Sequence, residues 1–227
     1  MAPSDRHLTL SSEKQQIRKS ILAARDQLLP DMRAAYNAAI TERLLQLPEY
    51  RRAETVLGYM NFGSEYASDL WISQVLADGK RLVLPRVNRH TNTLDLYRVD
   101  DLENQLAAGL WGIREPVIER CKRLNAINEV EFVLLPGIAF SRDGARLGYG
   151  GGFYDKLLME PLAIRPGEQT TLAKSQVMAH APHRPTLATA AYGLQIVTQI
   201  PQEATDVKID WIVTEAETID CNAIGNH

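Results

Sequence analysis

The chain has 227 residues and a formal net charge of −3 at pH 7, which suits one large domain or two small ones with a sizeable core. The nearly balanced charge argues against a protein that binds nucleic acid or a membrane surface. The longest apolar stretch, FVLLPGIAF, is far shorter than the roughly 20 residues that cross a bilayer. The opening MAPSDRHLTLSSEK has no apolar region typical of a signal peptide. We therefore expect a cytoplasmic protein in which Cys121 and Cys221 are reduced thiols.

Apolar spacing predicts two helices at the start of the chain. The first covers residues 12–28, where Ser12 and Gln15 have the spacing of a capping box and apolar residues recur at every third or fourth position. The second follows LLPD, with Asp31 as its cap.

A line of basic residues runs beside the apolar stripe of the first helix. Lys14 and Arg18 are four residues apart and Arg25 follows, so the first two side chains share one helix face. Such a pair is typical of a solvated charged edge, and it also fits two cations directed at one anion.

From residue 55 onwards, short apolar strands alternate with helices. The predicted strands are 55–60, 81–87, 93–99, 130–140, 186–192 and 208–215, and the predicted helices are 68–80, a helix from Tyr154 and a short one over LQIVTQI. This alternation predicts an α/β fold with a mostly parallel central sheet flanked by helices. We expect a single domain over residues 1–227, with a flexible N-terminus at 1–11 and a tail at 216–227.

Residues 159–185 interrupt this pattern. The segment contains four prolines and has no clear period, so we expect a surface insertion. His180 and His183 are three residues apart, but Pro182 between them disfavours a helix that would bring them together as metal ligands.

The stretch RLGYGGGFYD, residues 146–155, is typical of a phosphate site. Its four glycines allow successive backbone N–H groups to turn inward around an anion. Arg146 adds a planar set of donors, and Asp155 could hold Mg²⁺. The stretch is neither a P-loop, which needs Lys-Ser or Lys-Thr after the glycines, nor a dinucleotide fingerprint, since Phe153 stands where the third glycine would be. A tight glycine turn without a ligand also fits the loop taken alone.

The longer string LPGIAFSRDGARLGYGGGFYDKLL resembles the signature of the 5-formyltetrahydrofolate cyclo-ligases, also called methenyltetrahydrofolate synthetases. Other features follow the order of that family. They are the Lys-x-x-x-Arg pair Lys14 and Arg18, GYMNFGSE with Glu65, LPR at 84–86, WGIREP, and the closing IPQEATDVKIDWIVTE. The resemblance covers residues 12 to 215.

The resemblance implies an ATP-dependent ligase that closes 5-formyltetrahydrofolate into 5,10-methenyltetrahydrofolate and releases ADP and phosphate. Phosphorylation of the formyl oxygen gives an iminium phosphate, which N10 attacks, so catalysis is mostly positioning plus electrostatics. The implied fold is a three-layer α/β/α sandwich similar to ribose-5-phosphate isomerase and CoA transferases. The implied cofactors are ATP and Mg2+, and the implied partner is a reduced folate, with or without a polyglutamate tail, bound by a monomer.

The resemblance also assigns site residues. The ATP-binding residues would be Lys14, Arg18, Arg146, Leu147, Gly148, Tyr149, Gly150, Gly151, Gly152, Phe153 and Tyr154, of which Arg146, Lys14 and Arg18 would be catalytic. Asp155 and Asp206 would hold the metal, with Asp210 as the alternative to Asp206. Because Lys14 and Arg18 must reach phosphates bound by a loop far along the chain, we expect the first helices to fold over the cleft.

The folate would contact Met60, Glu65, Trp111 and Tyr154. A carboxylate such as Glu65 suits the pterin, whose 2-amino and N3–H groups are adjacent donors. Trp111 could cover a flat ring of the folate. Arg86 and Arg89 are candidates for the glutamate tail, although surface arginines are common.

One departure from the family concerns Gly151, where some members carry a lysine. The missing lysine keeps open a non-catalytic relative that binds and sequesters 5-formyltetrahydrofolate. An ATP-using enzyme of another pathway on the same scaffold is the other alternative, because fold alone does not fix function.

Overall fold

The computed structural model describes residues 3–109, 112–159, 184–203 and 206–223. Trp111 and residues 160–183 of the predicted insertion lie outside these ranges. The α-helices of the described ranges are α1 (Pro3–Asp26), α2 (Pro30–Gln46), α3 (Pro48–Arg52), α4 (Asp69–Ala77), α5 (Leu102–Gln105) and α6 (Phe153–Met159). None of the helices in these ranges is long and apolar enough to cross a membrane.

The strands form one large sheet and two small ones. They are β1 (Thr55–Leu57), β2 (Arg81–Asn88), β3 (Thr93–Val99), β4 (Leu106–Ala108), β5 (Arg114–Pro116), β6 (Lys122–Arg123), β7 (Phe132–Leu134), β8 (Ala139–Ser141), β9 (Arg146–Leu147), β10 (Thr186–Ala190), β11 (Ile196–Val197), β12 (Trp211–Val213) and β13 (Thr218–Asp220). The large sheet has the order β13-β12-β10-β7-β1-β2-β3-β6, and the small sheets are β11-β8-β9 and β4-β5.

The large sheet is parallel in its centre and antiparallel at its edges. Strands β12, β10, β7, β1 and β2 run in one direction. Strand β13 at one edge, and the β2–β3 hairpin with β6 at the other, pair antiparallel. The predicted α/β fold with a mostly parallel central sheet is confirmed.

Helices cover both faces of this sheet because successive residues of a strand point to opposite faces. Val56 of β1 packs in a core with Ile40 of α2 and Trp71 of α4. The next residue, Leu57, packs in a separate core with Leu157 of α6. The sheet is thus the middle of three layers.

Helix α1 packs against the small β11-β8-β9 sheet. Ile21 shares a buried cluster with Ile138, Ala139, Leu147 and Ile200. This contact sets α1 beside the end of β9, where the glycine-rich stretch begins.

Several local predictions were wrong. Residues 130–140 are not one strand, because Pro136 and Gly137 separate β7 from β8, which belongs to another sheet. LQIVTQI is not a helix, since a 3₁₀ turn at Gly193–Gln195 leads directly into β11.

The predicted helix starts also need correction. Helix α1 already begins at Pro3, so Ser12 lies inside it. Helix α2 has Leu29 at its cap position and Pro30 in its first turn. Asp31 therefore lies within that turn, where its charge favours the helix dipole.

Truncating Trp71 tests the packing of α4 on the sheet. Trp71 is fully buried, with its ring centroid 5.7 Å from that of Tyr50 and 6.3 Å from that of Phe132. We expect Trp71→Ala to lower the free energy of unfolding by about 3–5 kcal/mol in urea denaturation, because it leaves a cavity in the core. The control is Leu70→Ala on the same helix, where Leu70 is 59% exposed and a change within about 0.5 kcal/mol is expected. Similar losses in both variants would contradict this orientation of α4.

Candidate active site

The glycine loop, residues 148–152, connects β9 to α6. Its strand belongs to the small sheet, but Arg146 of β9 reaches Pro136, directly after the carboxyl end of β7. The loop thus lies at the carboxyl edge of the central sheet, which is where α/β folds bind ligands. Gly150 has a φ of 103° and Gly152 a φ of 63°, values that residues with side chains rarely adopt.

Two guanidinium groups flank the glycine loop. Arg18 Nε donates to the carbonyl oxygen of Gly148 at 2.8 Å, and Arg18 Nη2 lies 3.8 Å from where a Cβ on Gly150 would be. Arg146 Nη1 lies 3.0 Å from where a Cβ on Gly148 would be. Gly148 and Gly150 therefore leave backbone uncovered beside two guanidinium groups, which fits a phosphate group. Of the first helices, which we expect to fold over the cleft, α1 contacts this loop.

Arg146 is held beneath the loop rather than extended from it. Its side chain is 6% exposed, and Nη2 donates to Asp155 Oδ1 at 2.6 Å. Nη1 donates to the carbonyl oxygen of Pro136 at 3.3 Å, and the guanidinium carbon lies 5.9 Å from the centre of the Tyr154 ring. The positive charge of Arg146 is thus fixed in place by packing.

Lys14 meets the carboxylates near the end of the chain. Its Nζ lies 3.4 Å from both Glu203 Oε1 and Asp206 Oδ2. Asp210, the alternative to Asp206, has partners of its own: Oδ2 accepts from the Leu187 N–H at 2.8 Å, and Oδ1 lies 3.3 Å from Arg184 Nη2. Asp206 is therefore the carboxylate that meets Lys14, whereas Asp210 pairs with Arg184 and ties β10 to the start of β12.

The carboxylates near the glycine loop determine which kind of magnesium site the protein could form. The described residues contain no group of three or more His, Cys, Asp or Glu side chains that could hold a metal. Mg²⁺ usually keeps several waters and takes one or two carboxylates besides substrate phosphates. Asp155 and Asp206, each beside a cation of the site, fit an ion that arrives on phosphate oxygens rather than one held by protein alone.

Glu65, in the loop after β1, is buried and has structural partners on both oxygens. It is 6% exposed; Oε2 accepts from the Phe62 N–H at 2.7 Å, and Oε1 accepts from the Tyr149 hydroxyl at 2.7 Å. Burial raises the pKa of Glu65 above its usual range, while these two hydrogen bonds and the nearby Arg25 act against the rise. Met60, also predicted to contact folate, is partly buried in the same loop.

The sequence analysis missed the role of Arg25. This side chain is 2% exposed; Nε donates to Ser64 Oγ at 3.0 Å and Nη2 donates to the Tyr149 hydroxyl at 3.0 Å. Its Nη1 is buried and has no hydrogen-bond partner among the described residues. The sequence signal for Arg25 is that it continues the line of basic residues formed by Lys14 and Arg18. This signal is weak, because a basic residue in the last turn of a helix is common.

The remaining predicted residues occupy varied environments. Tyr154 is partly buried, and burial followed by the charge of Glu65 raises the pKa of its phenol. Leu147 is part of the core under α1. Arg86 donates from Nη1 to the carbonyl oxygen of Pro116, and Arg89 is exposed. Trp111 lies outside the described residues.

Phe153 explains the glycine at position 151. A Cβ on Gly151 would lie 2.7 Å from a carbon of the Phe153 ring. A side chain at position 151 would require the ring to move, so the observed position of the ring requires glycine at 151.

Comparison with known proteins shows the family of this chain. The 5-formyltetrahydrofolate cyclo-ligase from mouse is 24% identical over 212 residues, which cover 92% of this chain and 96% of the relative. The one from Mycolicibacterium smegmatis is 32% identical over 151 residues, covering 64% and 74%. The NMR structure of Aquifex aeolicus 5,10-methenyltetrahydrofolate synthetase has a TM-score of 0.73 at 29% identity and covers 92% of both chains. Residues 10–215 match the 5-formyltetrahydrofolate cyclo-ligase family over most of the chain, and the protein belongs to that family.

Proposed function

We propose that this protein uses ATP to close 5-formyltetrahydrofolate into 5,10-methenyltetrahydrofolate. One observation carries the proposal: the glycine loop bonds on one side to α1, through Arg18 and Gly148 at 2.8 Å, and on the other to Glu65, through Tyr149 at 2.7 Å. The reaction needs this proximity, because the formyl oxygen must meet the terminal phosphoryl group of ATP.

The nucleotide phosphates would lie along the glycine loop between Arg18 and Arg146. In phosphoryl transfer, fixed positive charges stabilise the negative charge on the transferring group. The guanidinium of Arg146 is already held by Asp155 and Pro136, so little reorganisation would be needed during the reaction. Lys14 would complete the set on the Asp206 side.

Asp155 and Asp206 would hold magnesium together with the phosphates. When bound, Mg2+ would neutralise part of the phosphate charge. Both carboxylates contact cations of the same site, Arg146 and Lys14. We infer that these contacts keep the carboxylates oriented before the nucleotide arrives.

The pterin would pair with Glu65, whose carboxylate can accept from the 2-amino and N3–H groups. Met60, Tyr154 and Trp111 would contact the folate rings. The formyl oxygen would attack the terminal phosphorus and ADP would leave. N10 would then attack the activated carbon, and loss of the N10 proton and of phosphate would give the methenyl product.

We further propose a single-domain, monomeric enzyme of the cytoplasm. The edge strands of the large sheet, β13 and β6, have three and two residues, and short edges disfavour pairing between sheets of two copies. Cys121 and Cys221 are free thiols, as a reducing compartment favours.

The direct test mixes the protein with 5-formyltetrahydrofolate and Mg-ATP and follows near-ultraviolet absorbance, where the methenyl product absorbs and the substrate does not. We expect a rise that requires ATP and is abolished by EDTA. Folate binding without a rise would instead support a sequestering relative. ATP binding without any response to reduced folate would support an enzyme of another pathway.

Arg146→Ala tests the charge beneath the loop. We expect turnover to fall by about 10³-fold, since removal of one donor that stabilises transition-state charge typically costs about 10²–10³-fold and Asp155 also loses its partner. The measurement is kcat from the absorbance assay. Circular dichroism checks that the variant is folded.

Arg142→Ala is the matched control for Arg146→Ala. Arg142 lies just after β8, is half-exposed and pairs with Glu217 at the surface. Its removal should leave kcat within about twofold, because exposed ion pairs contribute about 0–1 kcal/mol. Near-normal turnover of Arg146→Ala would contradict the role given to Arg146.

Glu65→Gln tests the folate site. We expect the Kd for 5-formyltetrahydrofolate to rise about 10–100-fold in calorimetry, because the amide sets its own donor against one donor of the pterin and hydrogen bonds to charged groups contribute about 1.5–3 kcal/mol. The Kd for ATP should stay unchanged. Equal weakening of both ligands would point to a general structural defect instead.

Glu65→Gln also tests how the free energy of unfolding depends on pH. The pKa of Glu65 is raised by burial from its ordinary 4.5. Between the unfolded and the folded pKa, the folded state binds more protons than the unfolded state, so the contribution of Glu65 to stability declines as pH rises through this interval. We therefore expect wild type to lose stability relative to Glu65→Gln from about pH 4 upwards in urea unfolding. An opposite slope would show that its hydrogen bonds and Arg25 outweigh burial.

A further inference from the structure

The Tyr149 hydroxyl lies between a buried cation and a buried anion. It accepts from Arg25 Nη2 at 3.0 Å and donates to Glu65 Oε1 at 2.7 Å. Because both hydrogen bonds end on one oxygen, the arginine donor and the carboxylate acceptor can be no farther apart than the two bond lengths combined. Arg25 and Glu65 thus present a donor and an acceptor that are close enough for one small polar edge of a ligand to contact both.

The protein satisfies this pair incompletely. Arg25 is 2% exposed, its side-chain partners are the neutral hydroxyls of Ser64 and Tyr149, and its Nη1 is buried without a partner among the described residues. Two carboxylates are linked to Arg25 only through these hydroxyls: Asp26 accepts from Ser64, and Glu65 accepts from Tyr149. A buried guanidinium with so few acceptors is costly unless another group completes it.

Tyr149 is the member of this group that can move. Its side chain is 48% exposed, whereas Arg25 and Glu65 are almost fully buried. It is also flanked by Gly148 and Gly150, and the latter has a φ of 103°. Rotation of this side chain toward solvent would uncover both buried partners.

Resting on the function proposed above, we propose that Arg25 and Glu65 together bind the lactam edge of the pterin. Arg25 donates to the 4-oxo oxygen while Glu65 accepts from N3–H and the 2-amino group. The Tyr149 hydroxyl occupies this position until the folate displaces it. A lactam matches because its N3–H donor and 4-oxo acceptor lie side by side on one edge, and this edge can meet Glu65 and Arg25 as the Tyr149 hydroxyl does.

This arrangement makes Arg25 a specificity-determining residue. In a 2,4-diaminopterin, an amino donor replaces the 4-oxo acceptor and N3 carries no hydrogen. The Arg25 donor then faces another donor, and Glu65 keeps the 2-amino donor but loses the N3–H. The site should therefore reject 4-amino pterins.

The experiment compares 5-formyltetrahydrofolate with its 4-amino analogue, which differs in the group at C4 and in the loss of the N3 hydrogen, by calorimetry on the full chain. We expect wild type to bind the 4-oxo compound at least about 100-fold more tightly, as sites built around hydrogen bonds do. In Arg25→Met this ratio should fall at least about tenfold, because the Arg25 donor is gone and only the contact of Glu65 with N3–H still distinguishes the two ligands. The ratio is insensitive to losses that affect both ligands equally.

Tyr149→Phe gives an independent readout if Arg25→Met does not fold. The variant lacks the hydroxyl that competes with folate, so we expect the Kd for 5-formyltetrahydrofolate to fall about three- to tenfold, in keeping with one hydrogen bond. Tyr50→Phe is the matched control, since its hydroxyl bonds Asp78, which the site does not include, and its Kd should not change.

Two results with the variants would overturn the inference. One is wild-type discrimination that persists in a cooperatively melting Arg25→Met; the other is unchanged or weaker folate binding by Tyr149→Phe. Failure of wild type to bind or convert 5-formyltetrahydrofolate would instead refute the proposed function, and the inference with it. Turnover by wild type with no preference between the two pterins would refute the inference alone.

Discussion

The candidate site depends on two hydrogen bonds between α1 and a loop more than a hundred residues away in sequence. Arg18 holds the carbonyl of Gly148, and Arg25 holds the hydroxyl of Tyr149. A run of glycines has no side chains with which to fix its own shape, so contacts from outside must do so. The packing of Ile21 on the β8–β9 hairpin brings α1 close, and the two guanidinium groups then set the loop. Docking of α1 and ordering of the loop should therefore be one cooperative event.

The parallel sheet explains why distant segments meet here. Strands β1, β7 and β10 run in one direction, so the segments that follow them emerge at the same edge. Glu65 follows β1, Pro136 follows β7, and Tyr192 follows β10. The Tyr192 hydroxyl bonds both Asn37 at 2.8 Å and the carbonyl oxygen of Glu65 at 3.3 Å. This buried contact holds the backbone of Glu65 against α2 and so helps to fix the position of its carboxylate.

The sequence predicted those features that depend on local pattern. Alternating apolar runs and helices led to the parallel sheet, and the glycine cluster marked the loop. The break between β7 and β8 was missed because periodicity alone cannot separate two buried strands, although Pro136 and Gly137, a pair typical of turns, lie between them. Asp206 and Asp210 were indistinguishable because only the fold shows that Asp210 accepts from the backbone of Leu187. Arg25 was missed as a site residue because its burial results from contacts with Ser64 and Tyr149, which are far away in sequence.

The absence of a lysine at position 151 fits the packing of the loop against Phe153. The Phe153 ring occupies the space that a Cβ at position 151 would need. In the proposed function the charges come instead from Lys14, Arg18 and Arg146, which belong to packed elements rather than to the loop. On that proposal, a lysine on the loop would lose conformational freedom each time it met a phosphate, whereas a buried guanidinium such as that of Arg146 loses its freedom once, on folding. Burial of the Arg146 guanidinium costs free energy in the folded protein, since its side chain is 6% exposed and its Nε is buried without a hydrogen-bond partner among the described residues. Substituting Gly151 by lysine would therefore not simply add a charge, because displacing Phe153 would disturb the start of α6 and with it Asp155, the partner of Arg146.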